Sequence, residues 1–219
     1  MEARTWWLFS VAAAVLLCFL PLTSVLGYES SAVMGVVLGI AAMRLTTIEL
    51  RQLTSRARAR ALEEPMHWWL DRLGARLLIA VPPGGVLLLN ALRVQNCDPF
   101  AGLMFWLLIP IVSIVFGHAL VFALHRSTGS ARWAFGLALA VVLADTAWFG
   151  VRLVFEPPIT GMHLLFGYFA GSIYDEALAV PEPLVWYRLL VLLASILLVL
   201  GVQWSARRRT NRPVASTSW

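Results

Sequence analysis

Residues 156–183 read EPPITGMHLLFGYFAGSIYDEALAVPEP, and they separate two long apolar runs of the chain. Prolines stand near both ends of this stretch, where they favour the ends of helices. Its middle, residues 162–174, is apolar and aromatic enough to contact lipid, but it is shorter than the about 20 apolar residues that a bilayer crossing needs. The pattern predicts an extracytoplasmic cap, interfacial or re-entrant, between two membrane-spanning helices.

The composition is typical of a membrane protein. Hydrophobic residues make up 60% of the chain and charged residues 13%, whereas about 25% charged residues is usual in soluble domains. Several apolar runs are long enough to cross a bilayer as helices. We therefore expect an all-α fold, a polytopic membrane helix bundle in which residues 1–206 form a single multi-pass domain. The predicted spans are residues 6–26, 31–53, 75–92, 100–124, 131–155 and 184–204.

The first run fits two descriptions. It can be a retained spanning helix, or residues 1–27 can be a signal peptide that is cleaved. The next apolar run begins only a few residues later, at Ala32. A tight hairpin of two spanning helices explains that spacing better, so retention is favoured.

The distribution of arginine predicts how the chain lies in the membrane. All 17 basic residues are arginine, and most stand in the connections after the second and fourth predicted spans and after the last one. The positive-inside rule then places both termini in the cytoplasm, with the protein in the inner (plasma) membrane. The net charge of +5 is accounted for in this way, and no nucleic-acid partner is expected.

Two polar segments are assigned to the cytoplasmic side. Residues 54–74 predict a segment that lies on the membrane surface and binds anionic lipid headgroups through Arg56, Arg58 and Arg60. The alternative is that this segment docks a protein partner. Residues 207–219 are expected to form a short disordered tail.

The third predicted span contains an unusual interruption, Pro82-Pro83-Gly84-Gly85. Two prolines remove two amide donors, so a kink or a break is expected. A broken helix at the middle of a membrane can form the substrate site of a transporter. The alternative is a bend that fits the helix around its neighbours.

Asp145 is the most costly residue of the predicted spans, because it lies near the middle of the fifth one. A carboxylate there costs at least about 2.5 kcal/mol on insertion scales, so it should face the bundle and have a partner or be protonated. Arg152 and His118 are the predicted partners. The arrangement indicates either a proton or ion relay or a purely structural hydrogen bond, and the residues alone do not decide between them.

Candidate residues also lie on the predicted outer side. Asp98-Pro99 is a typical helix start, with the aspartate as the N-cap. Ser172-Ile173-Tyr174-Asp175 has the spacing of a capping box, so its carboxylate has a local structural explanation. The functional candidates on this side are Cys97, Asp98, Tyr174, Asp175 and Glu176.

The spacing of the polar residues does not match a known catalytic or metal-binding motif. The stretches NCDP, at residues 96–99, and GYFAGSIYDE, at residues 167–176, resemble segments of uncharacterised bacterial multi-pass membrane proteins. That resemblance implies a membrane module without naming an activity. We expect no catalytic residue, cofactor or bound metal.

These observations predict a non-enzymatic integral membrane protein that anchors, scaffolds or senses through its outer face, with a protein partner there. The first alternative is a small transporter or channel subunit that uses the broken third helix and Asp145. A membrane-embedded enzyme is the second alternative.

Overall fold

The computed structural model describes residues 2–53, 63–94, 98–155, 161–169 and 180–210. These residues form an all-α polytopic helix bundle with one short β-hairpin. The helices are α1 (Glu2–Leu17), α2 (Tyr28–Gln52), α3 (Pro65–Leu77), α4 (Val81–Asn90), α5 (Pro99–Trp106), α6 (Val112–Thr128), α7 (Ala131–Phe155) and α8 (Glu182–Thr210), and the strands are β1 (Gly161–His163) and β2 (Gly167–Phe169).

Within the described ranges, five helical segments are long and apolar enough to cross a membrane. Helices α3 and α4 together form one of them, because the 3-10 turn Leu78–Ala80 joins them. Helices α5 and α6 form another, because the π-helical turn Leu107–Ile111 joins them. The five are Tyr28–Gln52, Pro65–Asn90, Pro99–Thr128, Ala131–Phe155 and Glu182–Arg208.

Helix α1 is shorter than the predicted span of residues 6–26. It has 16 residues and is therefore about 24 Å long at 1.5 Å per residue. Beyond Leu17 the chain continues in turns, and Pro21 disfavours helix at the residue before it. The turn region is held by the Asn90 side-chain amide, which donates to the Ser24 carbonyl at 2.5 Å.

The Pro82-Pro83 pair does not break the third span. The 3-10 turn Leu78–Ala80 joins α3 to α4, and the two prolines stand in the first turn of α4. A first-turn proline loses little, because the amides there have fewer helical partners. The change from α-helix to a 3-10 turn directly before the prolines is the local irregularity of this span.

Residues 65–74, which belong to the segment predicted to lie on the membrane surface, are helical and continuous with the third helical segment, Pro65–Asn90. Trp68 and Trp69 are buried against α6, where Trp68 stacks on Phe122 with 4.9 Å between ring centroids and Trp69 stacks on His118 at 5.7 Å. Burying two indoles removes a large apolar area from water. Arg56, Arg58 and Arg60 lie outside the described residues.

Helices α2 and α6 pack at the centre of the bundle. A Cβ atom added to Gly117 of α6 would lie 2.6 Å from the Gly39 carbonyl oxygen, so the two backbones are in direct contact. Gly35, the other member of the GxxxG pair, would clash in the same way with the Leu165 carbonyl oxygen, at 2.7 Å. Small residues permit such close approach inside membranes. The glycines of α2 therefore permit close backbone contact with both α6 and the hairpin.

Candidate functional site

The β-hairpin inserts its tip between the helices. Strand β1 pairs antiparallel with β2, with Met162 opposite Tyr168, and the turn Leu164-Leu165-Phe166 connects them. Leu165 is fully buried, although it belongs to a connection between two spanning helices. Gly167 has a positive φ of 82°, which a side chain would make unfavourable. We call residues 161–169 the plug hairpin.

Side chains from three helices bind the backbone at the tip of the plug hairpin. Arg188 of α8 donates to the carbonyl of Leu164 at 2.7 Å and to that of Leu165 at 2.6 Å. The Ser113 hydroxyl of α6 also donates to the Leu165 carbonyl. The Asp145 carboxylate of α7 accepts the Leu164 amide at 2.7 Å. Non-helical backbone inside a membrane protein needs such partners, because lipid offers none.

Arg188 is the main anchor of the plug hairpin. Its side chain is fully buried although it is cationic. Because a guanidinium holds its donors in a planar fork, it can bind two neighbouring carbonyls at once. Sequence reasoning missed this residue. An arginine six residues inside the last apolar helix was the available signal, because ionised groups within spans are rare and usually buried in the bundle.

His163 stabilises the turn of the plug hairpin by accepting a hydrogen bond from its backbone. Its Nδ1 accepts the Leu165 amide at 3.1 Å, so the proton of the neutral ring is on Nε2. Nε2 lies 2.9 Å from the Thr146 hydroxyl oxygen and 3.5 Å from an Asp145 carboxylate oxygen. The ring also stacks on Phe166, with centroids 3.9 Å apart.

The electrostatic surroundings favour the neutral ring. Burial lowers the pKa of His163 below its ordinary value, the nearby Arg188 charge lowers it further, and the Asp145 carboxylate opposes both effects. A neutral imidazole with its proton on Nε2 can donate to Thr146 while Nδ1 accepts from the backbone. The tip of the hairpin is thus held in one hydrogen-bonded arrangement.

The structure gives Asp145 a different contact from those predicted. Its carboxylate binds the plug hairpin through the Leu164 amide and lies beside His163, and 19% of its side chain is exposed. Arg152 lies seven residues further along α7, about 10 Å along the axis. His118 belongs to another cluster, described next. Sequence reasoning could not find the hairpin partners, because no periodic pattern predicts a buried β-turn between two spans.

His118 is fully buried in the α2–α6–α3 contact. Its Nδ1 lies 2.7 Å from the Thr46 hydroxyl oxygen and its Nε2 lies 3.3 Å from the Trp69 carbonyl oxygen. Both ring nitrogens therefore have protein partners, which is the usual state of a structural histidine.

A partly buried ion-pair cluster joins α2 to α3. Glu49 of α2 contacts Arg72 at 2.9 Å and also binds Arg76, both from α3. Arg76 donates in addition to the Leu45 carbonyl at 3.3 Å. These contacts tie the start of the third helical segment to α2.

Of the predicted outer-side candidates, Asp98 is described, and it caps α5. Its carboxylate accepts the Ala101 amide at 2.9 Å, which confirms the helix-start prediction. Cys97, Tyr174, Asp175 and Glu176 lie outside the described residues. Among the residues that the structure does describe, no group of three or more histidine, cysteine, aspartate or glutamate side chains is arranged to hold a metal ion.

The polar groups at the plug hairpin thus bind each other and the backbone. Their geometry positions a turn within the bundle, and each named side chain has a contact there. Comparison with known proteins finds no matching family model, no matching curated protein and no matching solved structure.

Proposed function

We propose that this protein is a membrane scaffold that presents the connection between α7 and α8, residues 156–183, to a protein partner at the outer face. The observation that supports this function is the attachment of the plug hairpin to α6, α7 and α8 through Ser113, Asp145 and Arg188. The favoured use of these polar residues is structural, because their hydrogen-bonding capacity serves the hairpin backbone.

A fixed hairpin suits a binding platform. A two-stranded hairpin alone is marginally stable at best. A loose connection would lose conformational entropy each time it bound a partner, which would weaken binding. Anchoring the tip in the bundle removes part of that cost in advance. Residues 170–179, which follow the plug hairpin directly, contain Tyr174, Asp175 and Glu176.

The proposed orientation follows from the charges. Arginines concentrate at the end of the bundle where α2 and α8 finish and α7 begins, and we name this the arginine-rich end; its members include Arg51, Arg132, Arg207 and Arg208. The positive-inside rule supports a cytoplasmic location for this end and for both termini, in a bacterial inner membrane. The plug hairpin then enters from the outer side.

Photo-crosslinking tests whether the outer face beside residues 156–183 contacts a protein partner. A photoreactive phenylalanine analogue replaces Trp186, which is 61% exposed near the start of α8, and in a matched control it replaces Trp133, 71% exposed at the arginine-rich end. We expect one discrete protein adduct in cells from position 186 and none from position 133.

The same adduct should disappear when Arg188 is replaced by alanine, provided that the variant accumulates in the membrane at the normal level. An adduct formed equally from both positions would contradict the proposal. So would a position-186 adduct that survives release of the plug hairpin, or the lack of any adduct at that position.

Proton transfer through Asp145 is a second candidate function, because its carboxylate lies 3.5 Å from His163 Nε2 within the bundle. Replacement by asparagine separates the two functions. Asparagine retains an oxygen that accepts the Leu164 amide, so we expect the free energy of unfolding to fall by less than about 1 kcal/mol, whereas alanine should cost about 1–3 kcal/mol by leaving that amide unsatisfied. Unfolding in detergent measures both.

Proton flux into proteoliposomes that contain a pH-sensitive dye completes this test. Under the scaffold proposal, wild-type protein and the Asp145→Asn variant give the same background leak. A proton flux through the wild-type protein that is absent from both Asp145→Asn and Asp145→Ala would establish the relay instead.

A further inference from the structure

A cavity opens between α1 and α2 near the arginine-rich end. Its volume is about 330 Å³, and it is lined by Thr5, Trp6, Phe9 and Arg44. The plug hairpin does not contribute to it, so this cavity is independent of the site proposed above. It combines one cation with two aromatic rings on the outside of the bundle.

The aromatic wall of the cavity is ordered. Trp6 and Phe9 meet edge to face with 5.7 Å between ring centroids. Phe9 is 54% exposed and its neighbour Leu8 71%, so the apolar surface continues outward along α1. In a membrane protein, such a surface next to a tryptophan contacts acyl chains close to the interface.

The floor of the cavity carries the positive charge. The guanidinium carbon of Arg44 lies 5.7 Å from the centroid of the Phe135 ring of α7, which supports its position by a cation–π contact. Arg44 precedes the end of α2 by eight residues, about 12 Å along the axis. A long arginine side chain at this depth extends toward the headgroup level.

Further positive charge surrounds the opening. Arg51 lies seven residues after Arg44 on α2, which places it on the same helix face and about 10 Å nearer the helix end. Arg4 is exposed next to Thr5 on α1. A phosphate in the cavity would contact Arg44 and the Thr5 hydroxyl, and the acyl chains of the same phospholipid would lie along Phe9 and the exposed face of α1.

We propose that this cavity binds an anionic phospholipid, with the phosphate at Arg44 and Thr5 and an acyl chain along Phe9. Charge complementarity selects a lipid of net negative charge over a zwitterionic one, because Arg44 lines the cavity and none of its lining residues is acidic. Arginine holds phosphate oxygens through paired hydrogen bonds. The bound lipid would fill the gap beside the short helix α1.

Native mass spectrometry of the full chain in mild detergent tests this site with defined lipids. Phosphatidylglycerol is titrated against phosphatidylcholine, and the apparent Kd of the tightest site is compared between the wild type and Arg44→Gln. We expect Arg44→Gln to weaken phosphatidylglycerol binding about tenfold, as for the loss of one charge-assisted hydrogen bond, and Arg44→Lys to weaken it less.

Two further variants keep the test decisive. Thr5 is exposed, so Thr5→Asp leaves packing intact while placing a negative charge at the opening, and it should weaken phosphatidylglycerol binding as well. Arg132→Gln, which changes an exposed arginine of α7 at the same end, is the matched control and should leave the affinity unchanged.

Three results would overturn the proposal. They are unchanged phosphatidylglycerol affinity in both Arg44→Gln and Thr5→Asp, equal binding of phosphatidylcholine, and an equal loss in Arg132→Gln. Inorganic phosphate provides the last comparison. Retention of free phosphate by the detergent-solubilised protein, without tighter binding of phosphatidylglycerol, would assign the site to a soluble anion and reject the lipid.

Discussion

Replacing Arg188 with alanine is expected to lower the free energy of unfolding by about 3 kcal/mol and to release the plug hairpin. The wild-type guanidinium donates to two adjacent buried carbonyls, at 2.7 Å and 2.6 Å, and a hydrogen bond to a charged group contributes about 1.5–3 kcal/mol. Removing the buried charge returns part of that energy, because the cation no longer has to be kept from water. The carbonyls of Leu164 and Leu165 then lose their strongest donors.

The release of the hairpin can be measured separately from stability. A cysteine at Met162, in a chain whose native cysteines are replaced by serine, is treated with a membrane-impermeant maleimide. We expect faster labelling in Arg188→Ala than in the parent chain, and an intermediate rate in Arg188→Lys, because an ammonium is a point charge without the planar fork.

Arg132→Ala is the matched control, because that arginine is exposed at the start of α7. It should change stability by less than about 0.5 kcal/mol. Equal stability of Arg188→Ala and Arg132→Ala, with equal labelling rates, would show that Arg188 does not anchor the plug hairpin.

Replacing Glu49 with alanine should cost about 3–5 kcal/mol, the usual penalty for removing one partner of a buried ion pair. The side chain of Arg76 is only 11% exposed and that of Glu49 21% exposed. Without the carboxylate, the Arg76 charge remains within the α2–α3 contact, and the Leu45 carbonyl becomes its main acceptor. Arg72, with 48% of its side chain exposed, can turn toward water.

A double-mutant cycle measures this coupling. Its single variants are Glu49→Ala and Arg76→Met. The double variant removes both charges of this pair and should recover more than half of the stability lost in Glu49→Ala, because no buried charge remains. Asp71→Ala, at an exposed position of α3, serves as the control. A double variant less stable than the single one would contradict this account of the cluster.

The helix bundle could be predicted because apolar length is a strong signal. Asp145 could also be singled out, since a carboxylate within a span needs a partner. Its contact with the hairpin could not, because residues 161–169 show neither helical nor strand periodicity over a useful length. The turn is stabilised by groups distant in sequence, such as Ser113 and Arg188.

Two other features of the structure also depend on neighbouring elements that the local sequence does not reveal. The contacts of Trp68 and Trp69 could not be predicted from composition, because they depend on the face of α6 that carries His118 and Phe122. From the local sequence, Pro82 and Pro83 predict a kink or a break in the helix. The chain stays helical across them, because they lie in the first turn of α4 and not in a helix interior. Their position in the first turn of α4 depends on the preceding 3-10 turn, Leu78–Ala80.

The position of Arg188 on the last helix has a consequence for the order of biosynthesis. The ribosome delivers the plug hairpin to the membrane before α8, so the tip carbonyls lack their arginine donor until α8 has emerged. Helix α8 in turn carries an arginine six residues from its start, and the hydrogen bonds to the Leu164 and Leu165 carbonyls offset the cost of removing that cation from water. Synthesis of α8 and attachment of the hairpin tip to Arg188 are thereby linked.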